Sequence, residues 1–240
     1  MYVVYVASKD KLYVGDRKQN KVHIINPKTK EVESSISVGS GVFHMWADGK
    51  GNQLWVNNDI DNTISVINLN TNSVVKTISL GIKPHDVFLN ADGTKAYVSV
   101  FTSMATDPDS VYMFSTATYT KTKAMAVGKD PHLYLLSNSN KLFVPCQSGE
   151  VYALNPNDLT LLNKSMYEGA HGIFPSTDQN TVYVTNISMK KLYAINAATY
   201  TQNGATTDAL EATPHNLVVN NDNTKLFVTH SGPSANKVSI

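Results

Sequence analysis

Residues 54–68, LWVNNDIDNTISVIN, decide the fold. The apolar run Leu54–Val56 gives way to Asn57, Asn58, Asp59, Asp61 and Asn62, and the chain returns through Ile64, Val66 and Ile67. Two short apolar or alternating runs around a cluster of Asn and Asp read as two antiparallel strands joined by a tight turn. The same unit recurs at 12–26 (LYVGDRKQNKVHIIN), 96–115 (AYVSVFTSMATDPDSVYMFS), 142–155 (LFVPCQSGEVYALN), 182–196 (VYVTNISMKKLYAIN) and 226–240 (LFVTHSGPSANKVSI). First residues of successive copies are 42, 42, 46, 40 and 44 apart. That period matches a β-propeller blade of about 40–50 residues. A sandwich or a barrel also has many short strands, but neither requires a regular repeat.

Each copy extends to a four-stranded blade. In the third, strands are expected at His85–Asn90, Lys95–Val100, Val111–Ser115 and Lys121–Val127, with Ala91–Thr94 as the first turn. Turns after first strands carry Asp, Asn and Gly, as in Asp48-Gly49-Lys50-Gly51 and Asn221-Asp222-Asn223. These residues tolerate tight hairpin angles. No segment shows helical spacing over ten residues or more. The expectation is an all-β chain forming one propeller domain over 1–240, with about six blades at 1–39, 40–81, 82–128, 129–169, 170–212 and 213–240. The last blade reads as incomplete, which leaves room for a seventh or for a neighbour that supplies the closing strand.

Composition removes several functions. The 240 residues carry a net charge of +1, with 42% hydrophobic and 16% charged side chains, so no basic stripe marks a nucleic-acid partner. No apolar run is long enough for a transmembrane helix. The opening Met1–Val6 lacks the basic and cleavage regions of a signal peptide. Cys146 is the single cysteine, so an internal disulfide is excluded. Few charges and much Asn and Thr point to an extracytoplasmic protein. No GxSxG, Walker, GxGxxG or HExxH motif occurs.

Tyr183-Val184-Thr185-Asn186 spells the signature of the YVTN-repeat β-propellers, and Lys83-Pro84-His85-Asp86 followed by Asp92-Gly93-Thr94-Lys95-Ala96-Tyr97-Val98 resembles that family's blade opening. The resemblance covers the whole chain. It is weakest in the first unit, with Tyr2 where other units have His, and the fourth lacks the Asp-Gly turn. It implies a surface, periplasmic or secreted protein and a blade, not a reaction.

His44, His85, His132, His171 and His215 each open a first strand, at spacings of 41, 47, 39 and 44. Equivalent first-strand positions of a propeller face its axis, so five imidazoles are expected at one mouth. Second strands return to the same face at Asp16, Asn58, Val100, Cys146, Asn186 and His230. Two readings stand. In one, Pro-His is blade grammar, with proline fixing the strand entry and histidine lining a wet channel. In the other, His44, His85, His132, His171, His215, His230 and Cys146 include the ligands of copper, zinc or iron, which imidazole and thiolate suit. The pairs His215 with His230 and His132 with Cys146 are then the best placed, and Tyr2, Asp16, Asn58, Asp86 and Asn186 are candidates for contacting a small ligand. His23 decorates a blade face, Trp46 and Trp55 pack the core, and the insertion Phe101–Ser110 lies on the histidine face.

The reading favours a binding or scaffold propeller that takes a small ligand or protein partner at its axial face. The alternative is a hydrolase or lyase of the lactonase or streptogramin-lyase type, with His171 or His215 as general base. Carboxylates near that mouth are few: Asp16, Asp59, Asp86 and Asp130, with Glu168 and Glu211 on approaching loops.

Overall fold

The computed structural model describes residues 2–102, 104, 106–204, 207, 209–232 and 235–240. They form six antiparallel sheets of four or three strands, the blades of an all-β propeller. The chain divides into two compact units, Met1–Ala126 and Val127–Ile240.

In the first unit, blade one is β1 (Val3–Val6), β2 (Lys11–Asp16), β3 (Lys21–Ile25) and β4 (Val32–Ser37). Blade two is β5 (Val42–Ala47), β6 (Gln53–Asn58), β7 (Thr63–Asn68) and β8 (Ser73–Ser79). Blade three is β9 (Lys83–Leu89), β10 (Lys95–Phe101), β11 (Asp109–Ser115) and β12 (Thr120–Val127). In the second unit, blade four is β13 (Tyr134–Leu136), β14 (Lys141–Pro145), β15 (Glu150–Leu154) and β16 (Leu161–Met166). Blade five has β17 (Ala170–Pro175), β18 (Thr181–Asn186) and β19 (Lys191–Asn196), and blade six has β20 (Pro214–Val219), β21 (Leu226–His230) and β22 (Val238–Ser239). Every sheet runs in chain order, a plain meander.

Blade five has no regular fourth strand among the described residues. A looser segment follows β19 instead, through an Ile195–Gln202 bridge and the bonds Asn203 N–H to Ala194 O and Leu210 N–H to Lys190 O. The only helix among the described residues is a single 3-10 turn, Ala7–Lys9, and none is long and apolar enough to cross a membrane. Ser103 and Ala105 of the expected mouth insertion, and Met1 of the opening stretch, lie outside the described residues. The ends of the insertion are tied together by Asp109, which is buried and accepts from Thr102 N at 2.9 Å.

The cores lie between blades. Tyr13, Val22 and Ile24 of blade one pack on Met45, Leu54 and Val56 of blade two. Trp55, Ile64 and Val66 of blade two pack on Val87, Ala96 and Val98 of blade three. In the second unit, Phe143 and Val151 meet Ile173, Val182 and Val184, whereas among the described residues the layer between blades five and six buries Leu192, Leu217 and Val228. Fourth strands such as β8 and β12 are largely exposed and form the outer rims. Trp55 is fully buried and Trp46 stacks on Phe88 at 4.2 Å, as expected of core residues.

The turns repeat their chemistry. Between third and fourth strands, Asn26, Asn68, Asn155 and Asn196 each accept a backbone N–H two residues on. This Asx geometry replaces a backbone hydrogen bond. After first strands, Asp92, Asp178 and Asp222 accept from Thr94, Ser176 and Thr224 hydroxyls, and these bonds hold each carboxyl below its usual range. A folded-state value below the unfolded one stabilises above the unfolded value and is lost as pH falls through the folded one. Thermal unfolding of the Asp92→Asn, Asp178→Asn, Asp222→Asn triple variant is therefore expected to depend less on pH below about 4 than that of the parent.

Candidate functional site

First strands do not run straight into their blades. In blade three Val87 pairs with Val98 and Pro84 with Val100, so His85 and Asp86 together oppose Ser99. Phe43 and His44 likewise oppose Asn57, His171 and Gly172 oppose Thr185, and His215 and Asn216 oppose Thr229. Two residues against one is a β-bulge, a device that re-aims side chains. A bulge strands the backbone N–H of its second residue, and the opposing hydroxyl captures it. Ser99 Oγ accepts from Asp86 N at 2.9 Å, Thr185 Oγ1 from Gly172 N at 2.7 Å, and Thr229 Oγ1 from Asn216 N at 3.2 Å. Asn57 instead donates to His85 O of the next blade at 3.0 Å, and Thr185 donates to His215 O at 3.0 Å. Blades one and four have Gly15 and Pro145 at this place, neither of which carries a side-chain hydrogen-bonding group, and both pair without an extra residue.

The bulges correct the expected equivalence of the histidines. His85, His171 and His215 occupy the first bulge position, which in blade two is filled by Phe43. His44 stands one place further on, equivalent to Asp86, because the extra residue is invisible to counting.

In the first unit His44 Nδ1 lies 2.9 Å from Asp86 Oδ1, both buried, and the His44 and His85 rings are 5.1 Å apart. Tyr2 packs on His44 at 4.5 Å, and Phe43 and Phe101 flank His85 at 5.4 and 4.5 Å. Asp59, almost fully buried, pairs with Arg17 at 2.6 Å and Lys83 at 3.5 Å at the rim of this cluster. These aromatic rings pack against the two histidines.

In the second unit the polar atoms converge. His132 Nε2 lies 3.2 Å from His171 Nε2, which lies 3.3 Å from Asp130 Oδ2. His215 stacks beside them, its ring centroid 4.8 Å from that of His171. Asp130, His132 and His171 place one ligand atom each within 4.8 Å of one another. The edge of a tetrahedron around zinc at 2.0–2.1 Å is about 3.3 Å, so the two short separations match cation ligands. His171 Nδ1, across the ring from the converging Nε2, is buried with no hydrogen-bond partner among the described residues, a shortfall that an ordered water makes good and that an ion at Nε2 does not reach. These three residues could hold a metal ion. Gly172 is required here, because a Cβ would strike His215 O.

Second-strand ends do not join this group. Their side chains turn to the third strand of their own blade: Asp16 to His23, Asn58 to Ser65, Asn186 to Tyr193 and His230 to Ser239. His230 also contacts Ala212 O at 3.1 Å, and Cys146 Sγ is buried 3.7 Å from Val144 O. Among the described residues neither His230 nor Cys146 belongs to a group of three ligand atoms. The short imidazole contact joins neighbouring blades, not two strands of one blade as the sequence suggested. Asp130 stood outside the expected ligand set, and its place two residues before His132 was the signal for it.

Six meander blades, four of them with bulged first strands, define the class, a β-propeller. No protein-family model and no curated protein matches the chain. Among solved structures it is similar to Kuenenia stuttgartiensis hydrazine synthase, at 12% identity and a TM-score of 0.82 over 95% of this chain and 72% of that one. It is also similar to a functionally unknown protein from Desulfotomaculum acetoxidans DSM 771, at 14% identity and a TM-score of 0.77, over 95% and 77% of the two chains. Identities this low show a shared fold alone.

Thr185 is fully buried and carries the bulge of His171, so its hydroxyl is the test of the scaffold. Thr185→Val is expected to cost about 1–3 kcal/mol by stranding the Gly172 N–H, read from the urea midpoint, and Thr185→Ser to recover most of it.

Proposed function

We propose that the protein is an extracytoplasmic binding propeller of the YVTN-repeat type that holds a transition-metal ion at Asp130, His132 and His171. One observation carries the reading: Nε2 atoms of two buried imidazoles and a carboxylate oxygen lie at ligand–ligand separation. Two Nε2 atoms 3.2 Å apart either share a proton as an N–H···N hydrogen bond or share a cation, and the carboxylate oxygen 3.3 Å from His171 Nε2 supports the cation. Two imidazoles and one carboxylate are a set that zinc and ferrous iron accept, with at least one position open for a water or a small ligand. The His215 ring lies beside that of His171, 4.8 Å between centroids and tilted by 54°. Localisation outside the cytoplasm is supported by the Asn- and Thr-rich composition and by the family resemblance of Tyr183-Val184-Thr185-Asn186.

Elemental analysis of untagged protein after loading with zinc and desalting is the direct test. About one equivalent is expected in the parent, and less than a tenth in a His132→Ala, His171→Ala double variant that keeps its circular dichroism. A parent retaining less than about a tenth of an equivalent of zinc, and likewise of iron and copper, overturns the proposal.

A further inference from the structure

Blade one departs from blades two, five and six at one place. The link from the second-strand end to the third strand is Asn58 to Ser65 in blade two, Asn186 to Tyr193 in blade five and His230 to Ser239 in blade six. In blade one the same two positions hold Asp16 and His23, and the link runs on to the fourth strand. His23 Nε2 lies 3.3 Å from Asp16 Oδ2, and His23 Nδ1 lies 2.7 Å from Ser35 Oγ. Hydroxyl, imidazole and carboxylate in that order are the parts of an acyl-transfer relay, which is recognised by geometry and roles and not by sequence position.

Each part is placed for its task. Asp16 Oδ1 accepts Lys18 N–H and Gln19 N–H, both at 2.9 Å, so the carboxylate is fixed and its other oxygen is left for the imidazole. A carboxylate beside Nε2 favours the tautomer with the proton on Nε2, which makes Nδ1 the base facing Ser35. His23 pairs with Ser35 directly across the β3–β4 ladder, so the contact is set by register. Ser35 is exposed on β4, the outer strand of its sheet. Val38 N–H donates inward to Asn20 O, and backbone direction alternates along an antiparallel strand. The Ser35 N–H therefore points off the edge, beside its own Oγ, where an oxyanion needs a donor.

We infer that Ser35, His23 and Asp16 form a surface hydrolytic site for small activated acyl esters, separate from the metal-binding reading and carried by blade one alone. Ser35 Oγ attacks the acyl carbon as its proton passes to His23 Nδ1. The tetrahedral oxyanion collapses, the C–O bond to the leaving group breaks, and the departing alkoxide takes that proton. Water, deprotonated by the same nitrogen, then cleaves the acyl-serine and restores Ser35.

The test treats the full chain with a fluorophosphonate probe and with 4-nitrophenyl acetate. Probe labelling is expected at Ser35 by peptide mass spectrometry. Ester turnover is expected to fall on the order of 10²-fold in Ser35→Ala and in His23→Gln, and to stay unchanged in Ser37→Ala. Asp16→Asn keeps an acceptor for Lys18 and Gln19, and is expected to retain the fold while slowing the acylation burst. Equal labelling of Ser34, Ser35 and Ser37, or undiminished turnover in Ser35→Ala, overturns the proposal. Zinc content has no bearing on these readouts, so this inference and the metal reading fail independently.

Discussion

The extra residue in the first strands of blades two, three, five and six is the constraint on which the site depends. A regular ladder alternates its side chains between two faces, and those faces are needed for the layers between blades. Only by breaking the alternation can a strand send an additional side chain elsewhere without losing a core contact. The cost is a stranded amide in a buried place, and Ser99, Thr185 and Thr229 meet it with a hydroxyl from the strand alongside. Blade four has Pro145 at the same position and keeps a regular ladder, yet still presents His132. The convergence of His132 and His171 thus joins a straight strand to a bulged one.

The two units use similar machinery differently. In the first, His44 is met by Asp86, its counterpart in the next blade, and the surrounding rings are Tyr2, Phe43 and Phe101. In the second, Gly172 stands where Asp86 would be, and no carboxylate from that position reaches an imidazole. Removing the side chain at 172 lets the blade-six backbone close in on the bulge, and His171 turns to His132 and Asp130. One small residue therefore separates a histidine–carboxylate pair from a set of converging ligands.

The blades were legible in the sequence because burial imposes short apolar runs and hairpins demand Asn, Asp and Gly. Leu54–Val56 and its five copies need nothing else to be aligned. The presence of histidines at strand openings was legible too, but their equivalence was not. An inserted residue changes neither composition nor local polarity, and it showed only as uneven spacing, 41, 47, 39 and 44. The fourth residue of each sequence copy, Gly15, Asn57, Ser99, Pro145, Thr185 or Thr229, was the stronger signal. Asp16, Asn58, Asn186 and His230 were expected at the mouth because they end strands there. Their side chains bond third-strand partners instead, a choice of face that sequence position alone does not specify. Ser35 could not be found this way, since the contact with His23 exists only across a paired ladder.

Because apolar layers sit between sheets, each blade is held by its neighbours more than by itself. Among the described residues, the layer uniting blades five and six contains three enclosed apolar residues, against larger groups in the other layers. Local opening follows the thinnest seam, so amide protons of β20 and β21 exchange before those of β17 and β18. His215 rides on that loosely fastened blade while the histidine beside it belongs to a firmer one. The ion-binding set proposed at Asp130, His132 and His171 belongs to blades four and five, so filling it tightens that junction and leaves the outer seam to its few apolar residues.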